Sequence, residues 1–366
     1  MAKIISVATA LPAYKHTQQH LLNFMTGAYE AGDREKRILN YLYQHSGIDA
    51  RYSVIPDFTL PIDKWEFFPK SRNLEPFPTL EYRMKWFGEH ALPLSVESAE
   101  KCLAGLINKD EITHLITVSC TGMSAPGLEL QVLSALGLRT NIYRTAINFM
   151  GCYAAVHGLK MANDIITANT DAKVLIICTE LCSLHFQKTF TDDTITAPLL
   201  FGDGSAAALV CGDSDPHRGL HLHSFYAEVM NGARDAMTWN LGSNGFKMTL
   251  SADVPELFRE DIGPLKERAL AKAGITQEAI KYWCIHPGGK RILQAIAAGL
   301  SITDEDLAAS YGVLKNHGNM SSPTILFVLK AMWDEVLKYP GSPIFAAAFG
   351  PGLTMESLIL TVPETN

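Results

Sequence analysis

Two stretches of the chain are apolar along their whole length and rich in β-branched or aromatic residues. They are ITHLITVSCTG, residues 112–122, and AIKYWCIHPGG, residues 279–289. Short apolar runs without alternation are typical of strands covered on both faces, and each run here ends at glycine, which interrupts regular structure. We therefore predict two buried strands, each leading into a glycine-containing loop.

A helical pattern follows each of these strands. The first helix begins near Cys152, and its inward positions are Ala155, Leu159, Ala162 and Ile166. The second has Ile325, Leu329, Met332 and Val336 on its inner face. VLIICTEL and FGDGSAAALVCG predict two more strands in the first half, and PIFAAAFGPGLTMESLIL predicts two in the second. The same order of elements thus occurs twice, which predicts an α/β protein of two duplicated halves, residues 1–219 and 220–366, sharing one buried helical layer.

The first hundred residues are more polar and more helical than the rest. LLNFMTGAYEAGDREKRILNYLY and SVESAEKCLAGLI predict amphipathic surface helices. Between them, residues 55–82 carry five prolines among aromatic residues. This segment is interpreted either as an ordered loop that covers a cleft or as a packed surface loop.

Composition excludes several classes of protein. The net charge of −7 and the absence of a Lys/Arg block argue against nucleic-acid or membrane partners. The start of the chain, MAKIISVATALPAY, is a poor secretory signal, so we expect a cytoplasmic protein. The seven cysteines are odd in number and lie partly in apolar runs, which predicts reduced thiols. No CxxC pair occurs, and His221 with His223 lacks further ligands nearby, so no metal site is expected.

Three polar residues lie at strand ends or helix starts in corresponding positions of the repeat. Cys152 opens the first helix, where the dipole favours a thiolate and free N–H groups can hold an oxyanion. His286 ends a strand, and Asn319 precedes the last long helix. Singly, each has a structural explanation: a small buried residue, a core histidine and a helix N-cap. Together they are expected to meet in one cleft, with a Cys–His pair for thioester exchange and His and Asn donors for an enolate.

Five motifs carry a resemblance to a known family. They are GC at 151–152, FGDGSAAAL at 201–209, IHPGG at 285–289, GNMSS at 318–322 and FGPGLT at 349–354. In order and spacing they resemble the chalcone and stilbene synthase superfamily of type III polyketide synthases, from about residue 40 to the end of the chain. Substitutions at cavity positions indicate a bacterial or other non-plant branch. The resemblance implies a homodimer with a thiolase-like, five-layered αβαβα fold.

The same resemblance implies a reaction and a catalytic triad, Cys152, His286 and Asn319. Cys152 would be loaded with an acyl-CoA starter, which malonyl-CoA would extend by decarboxylative Claisen condensation before closure to a pyrone or phenolic ring. Coenzyme A thioesters would be the substrates, and no cofactor is expected. Arg51 is the one basic residue clearly retained where the family binds coenzyme A.

The resemblance also assigns residues to the substrate cavity. Phe201 matches one gatekeeper phenylalanine, Met248 replaces the other, and Trp239 stands where chalcone synthase has glycine. Trp239 would restrict the cavity unless it points outward as a surface aromatic, and both possibilities remain open. Ala125 replaces a methionine that reaches across the dimer in plant enzymes. The remaining cavity residues are Cys120, Cys182, His185, Ser321 and Gly352.

Other activities share parts of this pattern. A ketoacyl synthase III shares the fold and triad, but FGPGLT and GNMSS favour the polyketide branch. An HMG-CoA synthase needs a catalytic glutamate, and Glu180 does not decide because polyketide synthases share it. A papain-like hydrolase would need CGSCW around its cysteine. A non-catalytic partner subunit is the alternative from outside enzymes, and the intact triad argues against it.

Overall fold

The computed structural model describes residues 1–230 and 233–363. Its strands are β1 (Ala2–Ala10), β2 (Tyr14–Thr17), β3 (Ala50–Ser53), β4 (His114–Ser119), β5 (Tyr143–Asn148), β6 (Lys173–Leu181), β7 (Asp203–Gly212), β8 (Leu220–Val229), β9 (Met237–Gly242), β10 (Gly245–Leu250), β11 (Tyr282–Ile285), β12 (Pro343–Gly350) and β13 (Thr354–Thr361). Its α-helices are α1 (Gln18–Ala28), α2 (Asp33–His45), α3 (Leu80–Leu103), α4 (Leu128–Leu136), α5 (Ala154–Ala168), α6 (Asp192–Leu200), α7 (Val254–Ala273), α8 (Lys290–Leu300), α9 (Ala308–His317) and α10 (Thr324–Val336).

Nine strands form one mixed sheet in the order β11-β12-β13-β8-β1-β7-β6-β4-β5. The sheet repeats itself: β1, β7, β6 and β4 pair in the same senses as β8, β13, β12 and β11, with two antiparallel pairs followed by a parallel one. The two parts join where Lys3 and Ile4 of β1 pair with His221 and Leu220 of β8. The predicted duplication is therefore present, although the two halves share one hydrogen-bonded sheet.

Five layers follow from how the helices cover this sheet. Helices α5 and α10 pack together between the inner faces of the two parts. Their predicted inward positions are all buried, and Leu326, Phe327, Val328 and Trp333 of α10 are buried as well. A helix that is apolar on all sides belongs inside a protein. Helices α3 and α4 cover the N-terminal part on its outer face, and α7 and α8 cover the C-terminal part.

The αβαβα fold that the resemblance implies is thus confirmed, and so is the repeated strand–helix order read from the sequence pattern. The division between residues 219 and 220 stays a prediction, since the two parts are continuous. Residues 364–366 of the predicted C-terminal half lie outside the described residues.

One predicted amphipathic surface helix packs one face on the sheet and keeps Glu97, Glu100 and Lys101 exposed on the other. SVESAEKCLAGLI forms the end of α3, whose residues Ser95, Ser98, Ala99 and Cys102 are buried. The serines face the sheet because their hydroxyls find partners there: Ser95 Oγ lies 2.7 Å from Thr179 Oγ1, and Ser98 Oγ lies 2.9 Å from Ser205 Oγ. Paired hydroxyls can be buried at small cost, so serines can occupy the buried face of this helix.

The first amphipathic stretch divides into two helices, α1 and α2, separated by residues 29–32. The proline-rich segment forms a packed loop whose Phe58, Phe67, Phe68 and Leu74 are buried against these helices. The Asp57 carboxylate shapes the loop by accepting hydrogen bonds from the backbone N–H groups of residues 66, 67 and 68. Of these side chains, Phe58 reaches the cavity that adjoins Cys152.

All seven cysteines are free and buried, as predicted. Over residues 1–230 and 233–363, no helix combines the length and the apolar content that crossing a membrane requires. Within the same residues, no group of three or more His, Cys, Asp or Glu side chains is arranged to hold a metal ion. The His221 ring bonds to Asp213, and the His223 ring bonds to the carbonyl of Ala273.

Candidate active site

Cys152 lies in a tight loop between β5 and α5. Gly151 has φ of +83°, in the left-handed region that favours glycine. A Cβ at Gly151 would lie 2.3 Å from Cδ of Pro351, and a Cβ at Gly350 would lie 3.2 Å from the backbone nitrogen of Cys152. The missing side chains therefore let the turn at residues 350–352 pack directly on the loop that carries Cys152. Gly352 forms this turn with φ of +75°.

His286 follows β11 and is held by a hydrogen bond from its backbone N–H to the carbonyl of Ala347, at 2.9 Å. Its ring is buried, with 1% of the residue exposed. Neither ring nitrogen has a hydrogen-bond partner among the described residues. A core histidine that stabilised the fold would be bonded. The ring therefore has free capacity for a reacting group.

Asn319 is held by backbone pairing with the other half of the molecule. Its N–H donates to the carbonyl of Leu200, and its carbonyl accepts from the N–H of Gly202, both at 2.9 Å. Its side-chain Oδ1 accepts from the N–H of Ser321 at 2.8 Å, and its Nδ2 lies 3.4 Å from the carbonyl of Gly288. Helix α10 begins at Thr324, so Asn319 is not its N-cap, and the capping alternative is wrong.

These three side chains line one small pocket of about 30 Å³, whose other walls include Phe201 and Met248. Cys152, Phe201 and Met248 also line a larger neighbouring cavity of about 310 Å³. The structure thus brings the three predicted catalytic residues, which come from distant parts of the chain, to one point beside a cavity.

Burial dominates the electrostatics of the pair formed by Cys152 and His286. It raises the pKa of the Cys152 thiol to about 11, and it lowers the pKa of His286 to about 3. The Ser321 hydroxyl, 3.6 Å from the sulfur, opposes the shift of the cysteine only in part. Helix α5 begins at Ala154 and its N-cap is Tyr153, so Cys152 lies one residue before the N-cap and outside the helix. Burial thus opposes charge on each group, and the thiolate expected at the helix start stays a prediction.

A buried carboxylate connects the two halves next to Cys152. Glu180 accepts hydrogen bonds from the Cys120 N–H at 2.9 Å, the Thr121 hydroxyl at 2.7 Å and the Ser322 hydroxyl at 2.6 Å. Burial raises the pKa of Glu180, and these donors oppose that rise. The sulfur of Cys120 lies between Glu180 Oε1, at 3.2 Å, and Ser321 Oγ, at 3.3 Å. Glu180 therefore orders the loops on both sides of the nucleophile, a role that sequence analysis did not assign.

The hairpin of β9 and β10 closes one side of the cavity. Trp239 lines the cavity, and its Nε1 donates to the carbonyl of Cys120 at 2.7 Å. His185 donates from Nε2 to the carbonyl of Thr121 at 2.7 Å and accepts at Nδ1 from the N–H of Phe246 at 3.0 Å. Burial lowers the pKa of His185 to about 3. Trp239 is therefore part of the cavity wall rather than a surface aromatic, and His185 holds the hairpin in place.

Most of the predicted substrate-binding residues line the larger cavity. They are Phe201, Met248, Trp239, Cys120, Cys182, His185 and Ser321. Gly352 is the exception, because its left-handed φ shapes the turn while its neighbour Pro351 provides the surface. Sequence analysis missed part of the wall: His16, Leu21, Met25 and Phe186. These residues resemble ordinary core positions, and no local motif marks them.

Arg51 lies on β3 with 4% of its surface exposed, and its Nη1 donates to the carbonyl of Phe201. It also lines the larger cavity, and its Nε and Nη2 atoms have no hydrogen-bond partner among the described residues. That Arg51 binds coenzyme A stays a prediction.

Two family models match the chain. The one described as the N-terminal domain of chalcone and stilbene synthases matches residues 1–216, and the one for the C-terminal domain matches residues 221–363. The chain is 32% identical to the alpha-pyrone synthesis polyketide synthase-like protein Pks18 of Mycobacterium tuberculosis, over 99% of this chain and 91% of that protein. It is 29% identical to a putative chalcone synthase of Bacillus subtilis, over 99% of each.

Solved structures agree with these matches. The crystal structure of PKS-I from the brown alga Ectocarpus siliculosus superposes with a TM-score of 0.91 at 31% identity, covering 99% of this chain and 98% of that one. The C-terminal type III polyketide synthase domain of Steely1 from Dictyostelium superposes with a TM-score of 0.90 at 26% identity, covering 99% of each chain.

We predict that Trp239→Gly widens the cavity, because a large aromatic wall is removed. Cys152 should then accept bulkier acyl groups from a graded series of acyl-CoA thioesters, scored by intact mass. Trp239→Phe is the comparison variant: it keeps one aromatic ring but loses the hydrogen bond to Cys120 and part of the side-chain volume, so its size limit should lie between those of wild type and Trp239→Gly. The same size limit in wild type and in a folded Trp239→Gly protein would show that this side chain does not restrict the cavity.

Proposed function

The chain belongs to the chalcone and stilbene synthase family, the type III polyketide synthases, and on that premise we propose the reaction that it performs. An acyl-CoA starter is loaded on Cys152. Malonyl-CoA then extends it by decarboxylative Claisen condensation, and the product closes to a pyrone or phenolic ring. The observation that carries this proposal is the meeting of Cys152, His286 and Asn319 in one pocket beside a cavity of about 310 Å³.

The loading step needs a thiol and a base in contact with the thioester. Cys152 supplies the thiol, and neutral His286, with both ring nitrogens free of partners among the described residues, can accept its proton during attack on the carbonyl. The new bond joins the sulfur to the acyl carbon, and coenzyme A leaves as a thiol after taking a proton. We assign the developing oxyanion to the backbone N–H groups of the loop at Gly151 and Cys152.

The extension step needs donors rather than a nucleophile. Loss of CO2 from malonyl-CoA leaves an enolate, whose negative charge lies on the thioester oxygen. The Asn319 Nδ2 group and a protonated ring nitrogen of His286 can both donate to that oxygen. Because the pocket is small and buried, these hydrogen bonds act in a medium of low dielectric constant, where they are stronger than in water. The enolate carbon then attacks the acyl carbon on Cys152, the carbon–sulfur bond breaks, and the lengthened chain stays on coenzyme A while the Cys152 sulfur leaves as a thiolate, ready for the next loading.

The cavity gives the growing chain room to fold. Its walls combine apolar side chains such as Met248 and Phe186 with polar ones such as Thr194 and Ser321. The name of the mycobacterial relative records alpha-pyrone synthesis for that protein. We propose that the product of this chain likewise contains a ring of about the size of a pyrone.

The functional unit that we propose is a homodimer joined at the β5 edge of the sheet. β5 pairs with β4 on one side and is the last strand of the sheet, and Tyr143 on it is 72% exposed. Exposed strand edges pair readily with a second chain. The loop that follows β4 contains Met123 and Ala125, and both residues are exposed. The mass of the protein in solution, measured by light scattering, should be twice that of one chain. A measured mass of 40.2 kDa, that of a single chain, would contradict the homodimer.

The direct test of the function uses malonyl-CoA labelled at the free carboxyl and a panel of acyl-CoA starters, without carrier protein. Wild type should release labelled CO2, form cyclic products and gain an acyl mass. Cys152→Ala should neither gain acyl mass nor form product, because the only proposed attachment point is missing. Silence of the folded wild type with every starter, or an acyl mass on the alanine variant, would overturn the proposal.

A further inference from the structure

The two halves of the molecule meet at four residues that we call the Phe201–Asn319 joint: Phe201 and Gly202 from the N-terminal half, Gly318 and Asn319 from the C-terminal half. Phe201 and Asn319 form a parallel β-bridge. Its hydrogen bonds run from the Asn319 N–H to the Leu200 carbonyl and from the Gly202 N–H to the Asn319 carbonyl. A gatekeeper position and a proposed enolate donor are therefore fixed to each other through the backbone.

The side chain of Arg51 lies across this joint. Its Nη1 donates to the carbonyl of Phe201. A Cβ at Gly318, whose φ is +70°, would lie 2.7 Å from Cδ and 2.8 Å from Cγ of Arg51. A Cβ at Gly202 would lie 3.4 Å from Cβ of Arg51 and 2.8 Å from the carbonyl of His317. Two glycines thus leave the space that the arginine stem fills, so one side chain contacts both strands of the joint.

Burial and two neighbours act in opposite directions on the charge of Arg51. Burial lowers its pKa to about 10, whereas Tyr43 and Asp203 raise it, so the guanidinium is still cationic at neutral pH. Asp203 is itself held by the Val54 N–H at 2.9 Å and the Ser183 N–H at 2.8 Å. The Nε and Nη2 atoms of Arg51 have no hydrogen-bond partner among the described residues, so the hydrogen bond from Nη1 to Phe201 is what ties this side chain to the joint.

We infer that Arg51 is a positioning residue: it fixes Phe201 and Asn319 relative to one another, and through Asn319 it sets the donor that stabilises the enolate. This inference rests on the proposed function. It replaces the coenzyme A phosphate role that the sequence resemblance suggested for Arg51. The two roles differ in a measurable way, because a phosphate ligand acts on one part of the substrate and a positioning residue acts on the chemical step.

The first experiment compares CO2 release from malonyl-CoA with release from malonyl-pantetheine, which has the same thioester but no nucleotide or phosphates. In Arg51→Met, kcat should fall about ten- to hundredfold with both substrates, as expected for loss of a hydrogen bond from a charged donor. Acyl loading of Cys152 should fall far less. A higher KM for malonyl-CoA alone, with kcat unchanged, would identify Arg51 as a phosphate ligand and overturn the inference.

The second experiment asks whether Arg51 acts through Asn319. Asn319→Ala removes the amide, and Arg51→Met in that background should cause little further loss of CO2 release. Residues that act as one unit show such non-additive losses, and independent residues do not. Multiplicative losses in the double variant would show that Arg51 affects the reaction by another route.

Control variants keep these outcomes interpretable. Arg37→Met removes an arginine exposed on α2 and should leave both substrates unaffected. Arg51→Lys keeps a cationic donor, so it should fold and recover part of kcat equally with both substrates. If Arg51→Met fails to fold, the lysine variant takes its place in both experiments. Wild type that released no CO2 from either substrate would overturn the proposed function itself, a result distinct from any pattern among the variants.

Discussion

The backbone bridge between Phe201 and Asn319 is the contact on which the site depends. Cys152 belongs to the N-terminal half of the chain, whereas His286 and Asn319 belong to the C-terminal half. The distances among their side chains therefore depend on how the two halves pack together. The buried layer of α5 and α10 sets that fit over the whole interface. The bridge, with Glu180 binding hydroxyls from both halves, sets it at the reacting atoms. A duplicated fold therefore gains its chemistry at the junction of its two copies.

Burial then determines what these groups can do. Burial opposes charge on both Cys152 and His286. In the proposed reaction the proton of the thiol passes to the imidazole as the thioester is attacked. The ring nitrogens of His286, unpaired among the described residues, are the groups that a substrate would satisfy. Side chains with completed hydrogen bonds, such as His185, instead hold the β9–β10 hairpin against the cavity. The contrast between these two histidines separates a reacting group from a supporting one, although both are buried and both have a lowered pKa.

Sequence periodicity was sufficient for the duplicated halves and their shared helical layer, whereas the five-layered fold and the roles of the three residues came from the family resemblance. Apolar runs without alternation marked strands covered on both faces, and the repeated order of elements marked the duplication. Periodicity does not identify the distant partners of buried polar groups. Ser95 and Ser98 of α3 are buried opposite Thr179 and Ser205. The buried Arg51 donates to the carbonyl of Phe201. Such pairings join residues far apart in sequence, so no local pattern contains them.

The measurement that tests this account most directly is a crystal structure of Cys152→Ala with malonyl-CoA bound. The variant lacks the thiol but keeps both donors, so the extender should bind without an acyl group in place. The account predicts that the thioester oxygen lies within hydrogen-bonding distance, roughly 2.7–3.2 Å, of both Asn319 Nδ2 and a ring nitrogen of His286. A thioester oxygen bound to other groups, or a malonyl group outside this pocket, would contradict it.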